Sequence, residues 1–182
     1  MRNGALCPFF FLNKNMKKYI PLFISFCFNL NLSLIDYHDP QAHHILDAEI
    51  HDNILIISGY LQGIEFYNIS NQGQLNHLTN FTLSSGGGGI KSNCITSSNN
   101  YAYFTSNNGL YVVDISNPSN PINIGLINGT SNLILENLKV YNNILAVACH
   151  DDGIRLYDVS NPSNPIFRSS ISTENAWAVA LK

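Results

Sequence analysis

The densest group of side chains able to do chemistry is "HDPQAHHILDAEIHD", residues 38–52, where His38, His43, His44 and His51 stand among Asp39, Asp47, Glu49 and Asp52. Imidazoles and carboxylates at this density are donor types that hold a divalent metal. On a helix, His44, Asp47 and His51 would share a face and could approach one ion. On a strand, His43, Asp47 and His51 point the same way but lie about 13 Å apart in succession, too far for a single ion. The element that carries the stretch therefore decides between a metal site and none. The helix reading makes His44, Asp47 and His51 the weak candidate ligands; the strand reading leaves no metal site and turns the polar groups toward a central channel, with Leu46, Ala48 and Ile50 packing.

Other candidates are thinner. "HDDG", residues 150–153, offers two adjacent carboxylates, whereas a calcium loop alternates its acids, so a hairpin turn is expected. "SSGGGG", residues 84–89, has no GK[ST] after it and opens no helix, so it reads as a flexible linker between units rather than a phosphate cradle. No G-x-S-x-G elbow occurs, and His77 and His150 stand apart from other catalytic residue types. Cys94 and Cys149 are not spaced like metal ligands; they read as two small buried hydrophobes, with a disulfide as the alternative in an exported protein. No cofactor is called for.

The elements that must position these residues recur. "GLYVVDISNPSNP", residues 109–121, returns 44 residues later as "GIRLYDVSNPSNP", residues 153–165, and "GIEFYNISN" opens on Gly63, 46 residues before Gly109. Upstream of each glycine stand "NILIIS", "NYAYFT" and "NILAVA", apolar and β-branched runs separated from the next strand by turn-forming clusters. A third strand follows the proline punctuation, as "PINIGLI" and "PIFRSSI", and a fourth precedes each Asn, as in "NLKVYN". No helical periodicity appears after residue 40. The turn residues repeat letter for letter while the strands drift: Asp114, Asn117, Pro118 and Pro121, then Asp158, Asn161, Pro162 and Pro165. Proline cannot donate to a ladder, and Asp and Asn bond to nearby backbone, so this chemistry tolerates few substitutes.

A four-stranded unit of 40–50 residues repeated along the chain is the mark of a β-propeller blade. The two SNPSNP phrases, each behind a "NYAYFT"-like strand, resemble the LVIVD repeat of bacterial and archaeal surface proteins, over roughly residues 42–182. Unit one departs from it, with Asn68 in the place of Asp114 and Asp158 and with neither proline. The resemblance implies a secreted or cell-surface propeller and carries no catalytic residues to transfer. The expected fold is all-β, with blades at about 42–85, 90–127 and 133–171 and the first strand of a fourth at 174–182. Propellers close with four to eight blades, so further blades are expected from a continuation of the chain or from another subunit.

Residues 1–33 hold Arg2, Lys14, Lys17 and Lys18 and no acid, and the apolar run "YIPLFISFCFNLNLSL" comes directly after the lysines. This order reads as a signal peptide, with Met16 as an alternative start and a retained anchor as the rival; a membrane is expected as a partner only through this segment. The remaining chain has 5 bases against 12 acids, a net charge of about −7, which repels a phosphate backbone and excludes nucleic acid as the expected partner. The channel-side positions of the regular units read mostly as Ser, Thr, Asn and apolar residues. They favour a non-catalytic module binding a protein or a glycan over part of an extracellular hydrolase or lyase acting on polysaccharide or ester, whose active groups would lie in blades absent from this chain.

Overall fold

The computed structural model describes residues 45–59, 63–82 and 92–182. The leader-like segment 1–33, His38, His43, His44 and the glycine run 84–89 lie outside the described residues, as does the side chain of Cys94. Among the described residues no helix is long and apolar enough to cross a membrane.

Three four-stranded antiparallel sheets succeed one another along the chain. The first is β1 (Ile45–His51), β2 (Ile54–Gly59), β3 (Gly63–Ile69) and β4 (Leu75–Phe81). The second is β5 (Ser92–Ser98), β6 (Tyr101–Ser106), β7 (Gly109–Asp114) and β8 (Ile122–Leu126). The third is β9 (Asn137–Tyr141), β10 (Ile144–Ala148), β11 (Ile154–Asp158) and β12 (Ile166–Ile171). Each sheet pairs its strands in sequence order, and β1, β5 and β9 pack side by side around one axis. These are blades of a β-propeller standing in an open arc.

Apolar cores fill the spaces between blades. Ile56, Ile64 and Phe66 of blade one meet Ala102, Phe104 and Val113 of blade two. Tyr103, Leu110 and Val112 of blade two meet Leu138, Val140, Leu145 and Val147 of blade three. Alternate residues of each strand therefore serve different neighbours, which is why β2, β6 and β10 are apolar on both faces. Cys149 is a free thiol buried in the second of these cores, and burial pushes its pKa up to about 11.

The turns repeat as closely as the strands. Asp52, Asn99 and Asn142 open the two-residue turns after β1, β5 and β9 with φ of 54°, 53° and 51°, a left-handed region that Asp and Asn tolerate. The next residue's carbonyl, at Asn53, Asn100 and Asn143, accepts from Ile69, Ile115 and Val159 N–H at 2.7, 2.7 and 2.8 Å. The SNPSNP phrase closes in two steps. Asp114 and Asp158 Oδ1 accept from Ser116 and Ser160 N–H at 2.8 Å. Asn117 and Asn161 carbonyls then accept from Asn120 and Asn164 N–H at 2.9 and 3.0 Å. Pro118 and Pro162 fall at the second position of those four-residue turns, where their fixed φ suits the backbone, and Pro121 and Pro165 stand immediately before β8 and β12. In unit one Ser70 takes over: its carbonyl accepts from Gly73 N–H at 2.8 Å and its Oγ from Gln74 N–H at 3.0 Å.

Among the described residues, the third unit adds an ion pair to this turn. Arg168 donates to Asp158 Oδ2 from Nε at 3.2 Å and from Nη2, and together with the Ser160 N–H it holds the Asp158 carboxyl well below the usual carboxylate range. A depressed folded-state pKa gives stability that is present above the unfolded value of about 3.9 and is lost as pH falls through the folded one. The thermal midpoint of the native chain should thus exceed that of Asp158→Asn at neutral pH, with the difference shrinking on acidification below about pH 4. A difference independent of pH would remove the charge from the explanation.

One expectation fails. Leu46, Ala48 and Ile50 do not pack: Leu46 and Ile50 are 45% and 47% exposed, and Ala48 lies on the same open side. Asp47, Glu49 and His51 turn toward blade two instead. Strand alternation separates the two sets, but the neighbour beyond each face decides which is buried. Segment 174–182 also differs from the strand expected there: a single bridge joins Ala176 to His150, and no ladder forms.

Candidate functional site

Two polar features gather on this framework: a belt around the axis and a cleft between blades one and two. The belt arises because β1, β5 and β9 pack without laddering to one another, so N–H groups on their inner edges need other acceptors. Short polar side chains supply them from blade to blade. Asp47 Oδ2 accepts from Ile95 N–H at 3.0 Å, Thr96 Oγ1 from Val140 N–H at 3.2 Å, and Asn137 Oδ1 from Val179 N–H at 3.1 Å.

Above these links three blades contribute one side chain each. Glu49 Oε1 accepts from Ser97 Oγ at 3.4 Å, and Glu49 Oε2 lies 3.5 Å from Lys139 Nζ. The ion pair spans blades one and three, with Glu49 21% and Lys139 44% exposed. Glu49 and Lys139 are charged residues at the axis, where the regular units are expected to carry mostly Ser, Thr, Asn and apolar residues. A carboxylate shared between an ammonium and a hydroxyl offers a ligand at the axis both an acceptor and a donor. Lys139 was missed because nothing in "NLKVY" ties it to a carboxylate 90 residues earlier.

The candidate ligands Asp47 and His51 do not converge. Asp47 is engaged with Ile95, and the His51 ring lies 4.0 Å from Asp52 on the turn beyond. Among the described residues no group of three or more His, Cys, Asp and Glu side chains is placed to hold a metal ion. "HDDG" forms the turn between β10 and β11: Cys149 carbonyl accepts from Asp152 N–H at 2.9 Å, and His150 takes φ of 46°. His150 stands 2.8 Å from Asp151 and edge-on to Trp177, and His77 is edge-on to Tyr67. Tyr67 donates to the buried Glu65, and burial, followed by that bond and the Glu65 charge, pushes its pKa well above the ordinary value.

The glycines anchor the opposite ends of the blades. Gly63 has φ of 88°, and a Cβ there would lie 2.4 Å from Phe81 O; at Gly153, with φ of 74°, it would lie 2.2 Å from Ile171 O. At Gly109 the close neighbours are Leu126 and Thr130, whose hydroxyl accepts from Leu110 N–H at 3.0 Å. Each glycine lets an outer strand approach the start of β3, β7 or β11.

The cleft lies at the turn end of the blades and has a volume of about 400 Å³. Blade one contributes His51, Asp52, Asn53, Asn68 and Leu78; blade two contributes Asn100, Ser116, Pro118 and Ser119. Ile54 and Ile115 complete the lining. Leu78 arrives there through a bulge. It is the extra residue opposite Phe66 and Tyr67, as Ile124 and Arg168 are in the matching strands of the other blades. The bulge recurs in every outer hairpin, and no residue type announces it. Pro118, read as a turn residue, also forms part of this wall.

The LVIVD repeat family matches residues 91–128 and 135–173, which are blades two and three. The chain carries LVIVD repeats. Blade one shares their strand order, bulge and turn bonds while departing from them in sequence. No curated protein matches the chain. Among solved structures it is similar to the computationally designed Ika4 protein, at 13% identity and a TM-score of 0.62, covering 84% of this chain and 88% of that one. It is similar to the designed Ika8 protein at 16% identity and a TM-score of 0.57, covering 81% of this chain and 42% of that one. U3-55K is similar at 11% identity and a TM-score of 0.58, with 74% of this chain and 41% of that one covered. The chain thus spans less than half the length of Ika8 and of U3-55K, and at these identities the likeness is one of fold.

Proposed function

We propose that this chain is an exported, non-catalytic binding module that takes a protein or glycan ligand on the turn end of its blades. The inter-blade cleft carries the reading. It is concave, turns of both blades supply most of its side chains, and two blades that share an apolar core hold it. The basic-then-apolar order of residues 14–33 supports export. The net charge of about −7 over the rest of the chain speaks against nucleic acid.

The test is a survey of the purified chain against arrays of extracellular proteins and glycans, alongside Asn100→Arg, which fills the cleft from an exposed turn. The expected outcome is saturable binding that weakens about tenfold or more in the variant. Glu49, Ser97 and Lys139 give the rival reading a place to act, as part of a hydrolase or lyase. Turnover in a broad polysaccharide and ester screen, abolished by Ser97→Ala, would replace the binding reading with that one.

A further inference from the structure

The side chains of the cleft point to the chemical class of ligand. Both blades bring amides and hydroxyls to the lining: Asn53 and Asn68 from blade one, Asn100, Ser116 and Ser119 from blade two. Asn53 Nδ2 donates to Asn68 Oδ1 at 2.5 Å, which fixes both amides and directs the remaining Asn53 oxygen and Asn68 NH₂ away from the shared bond. Neutral groups that both donate and accept suit a ligand whose own groups do the same, which describes a hydroxyl and not a phosphate, sulfate or ammonium. The ionisable groups of the lining are the neighbours His51 and Asp52, at one end. They supply no concentration of one charge.

The lining also includes apolar surface. Ile115 is buried, Ile54 and Leu78 are half-buried, and the Pro118 ring stands among them. A sugar ring has hydroxyls on its edge and C–H groups on its faces, so it can satisfy the amides and hydroxyls while its face packs on aliphatic side chains. A volume of about 400 Å³ is at the small end of ligand sites, suited to one or two rings rather than a folded partner.

We infer that the cleft between blades one and two is a binding site for a neutral saccharide, one or two residues long at the point of contact. The inference rests on the binding-module reading and narrows it. The residues for contact are Asn53, Asn68, Asn100, Ser116 and Ser119, with Pro118 beneath the ring.

Amide chemical shifts of the full chain test it, recorded while cellobiose, lactose or chitobiose is titrated to millimolar concentration, with sialyllactose as an anionic comparison. Neutral disaccharides should move the Asn53, Asn100 and Ser119 amides, and sialyllactose should move them less. Asn53→Ala should weaken binding about tenfold, while Asn164→Ala on the blade three turn leaves it unchanged; the amide fingerprint of each variant reports that it is folded. The same disaccharide linked to a peptide should act as the free one does, and shifts confined to the linked form would assign the contact to the peptide and overturn the inference. Absence of shifts with every neutral sugar also overturns it. If the array survey still gives a ligand that Asn100→Arg loses, the saccharide class falls alone; if it gives none, the binding reading falls with it.

Discussion

Gly153→Ala should lower the unfolding free energy by about 3 kcal/mol, combining the cost of a left-handed backbone with that of a collision. The added Cβ would sit 2.2 Å from Ile171 O and 2.9 Å from Thr173 N, both backbone atoms, so a side-chain rotation cannot relieve it. One of the two chain segments must move, the start of β11 or the end of β12. Gly129 separates the two contributions. Its φ of 76° is nearly the same as the 74° of Gly153, yet nothing lies within 4 Å of a Cβ placed there. Gly129→Ala should therefore cost about 1–2 kcal/mol, the conformational part alone. Urea unfolding of both variants measures the comparison. Equal losses would show that close approach is not what demands glycine at the start of β11.

Phe104→Ala is expected to cost about 4 kcal/mol, the range of a large aromatic removed from a packed core. Phe104 is fully buried and belongs to the core that blade two shares with Ile56, Ile64 and Phe66 of blade one. The cavity would open at the contact between two repeats, where repeat proteins hold much of their stability. Phe167 supplies the contrast, since it is 50% exposed on β12 and meets Tyr157 only edge-on. Phe167→Ala should cost about 1 kcal/mol or less. Urea midpoints of the two variants test this. A small loss at Phe104 would mean that the blades do not rely on their shared core.

The two substitutions probe different levels of the same repetition. Gly153 is legible in the sequence because a backbone conformation with a close neighbour admits one residue type, and that residue recurs at Gly63 and Gly109. The turn residues are legible for a related reason. Asp114, Asn117 and Pro118 act on atoms within a few positions of themselves, so the letters and the structure coincide. Phe104 is legible only as apolar. Which blade it faces depends on the order in which sheets stack.

By itself the sequence determined the local and periodic parts of this protein: strands of alternating or continuous apolar character, their grouping in fours, the glycines, the SNPSNP turns and the LVIVD resemblance. Each rests on interactions within a single unit of about 45 residues, and repetition of the unit made them visible. Tertiary structure alone decided what passes between units. It placed Lys139 across the axis from Glu49, joined Asp47 to the backbone of Ile95 and left Leu46 and Ile50 on an open face. It also inserted the bulge that carries Leu78 into the cleft. The physical reason is that a strand's alternation defines two faces without naming their neighbours. Long-range polar pairs are set by the curvature of the whole arc, to which each residue contributes little.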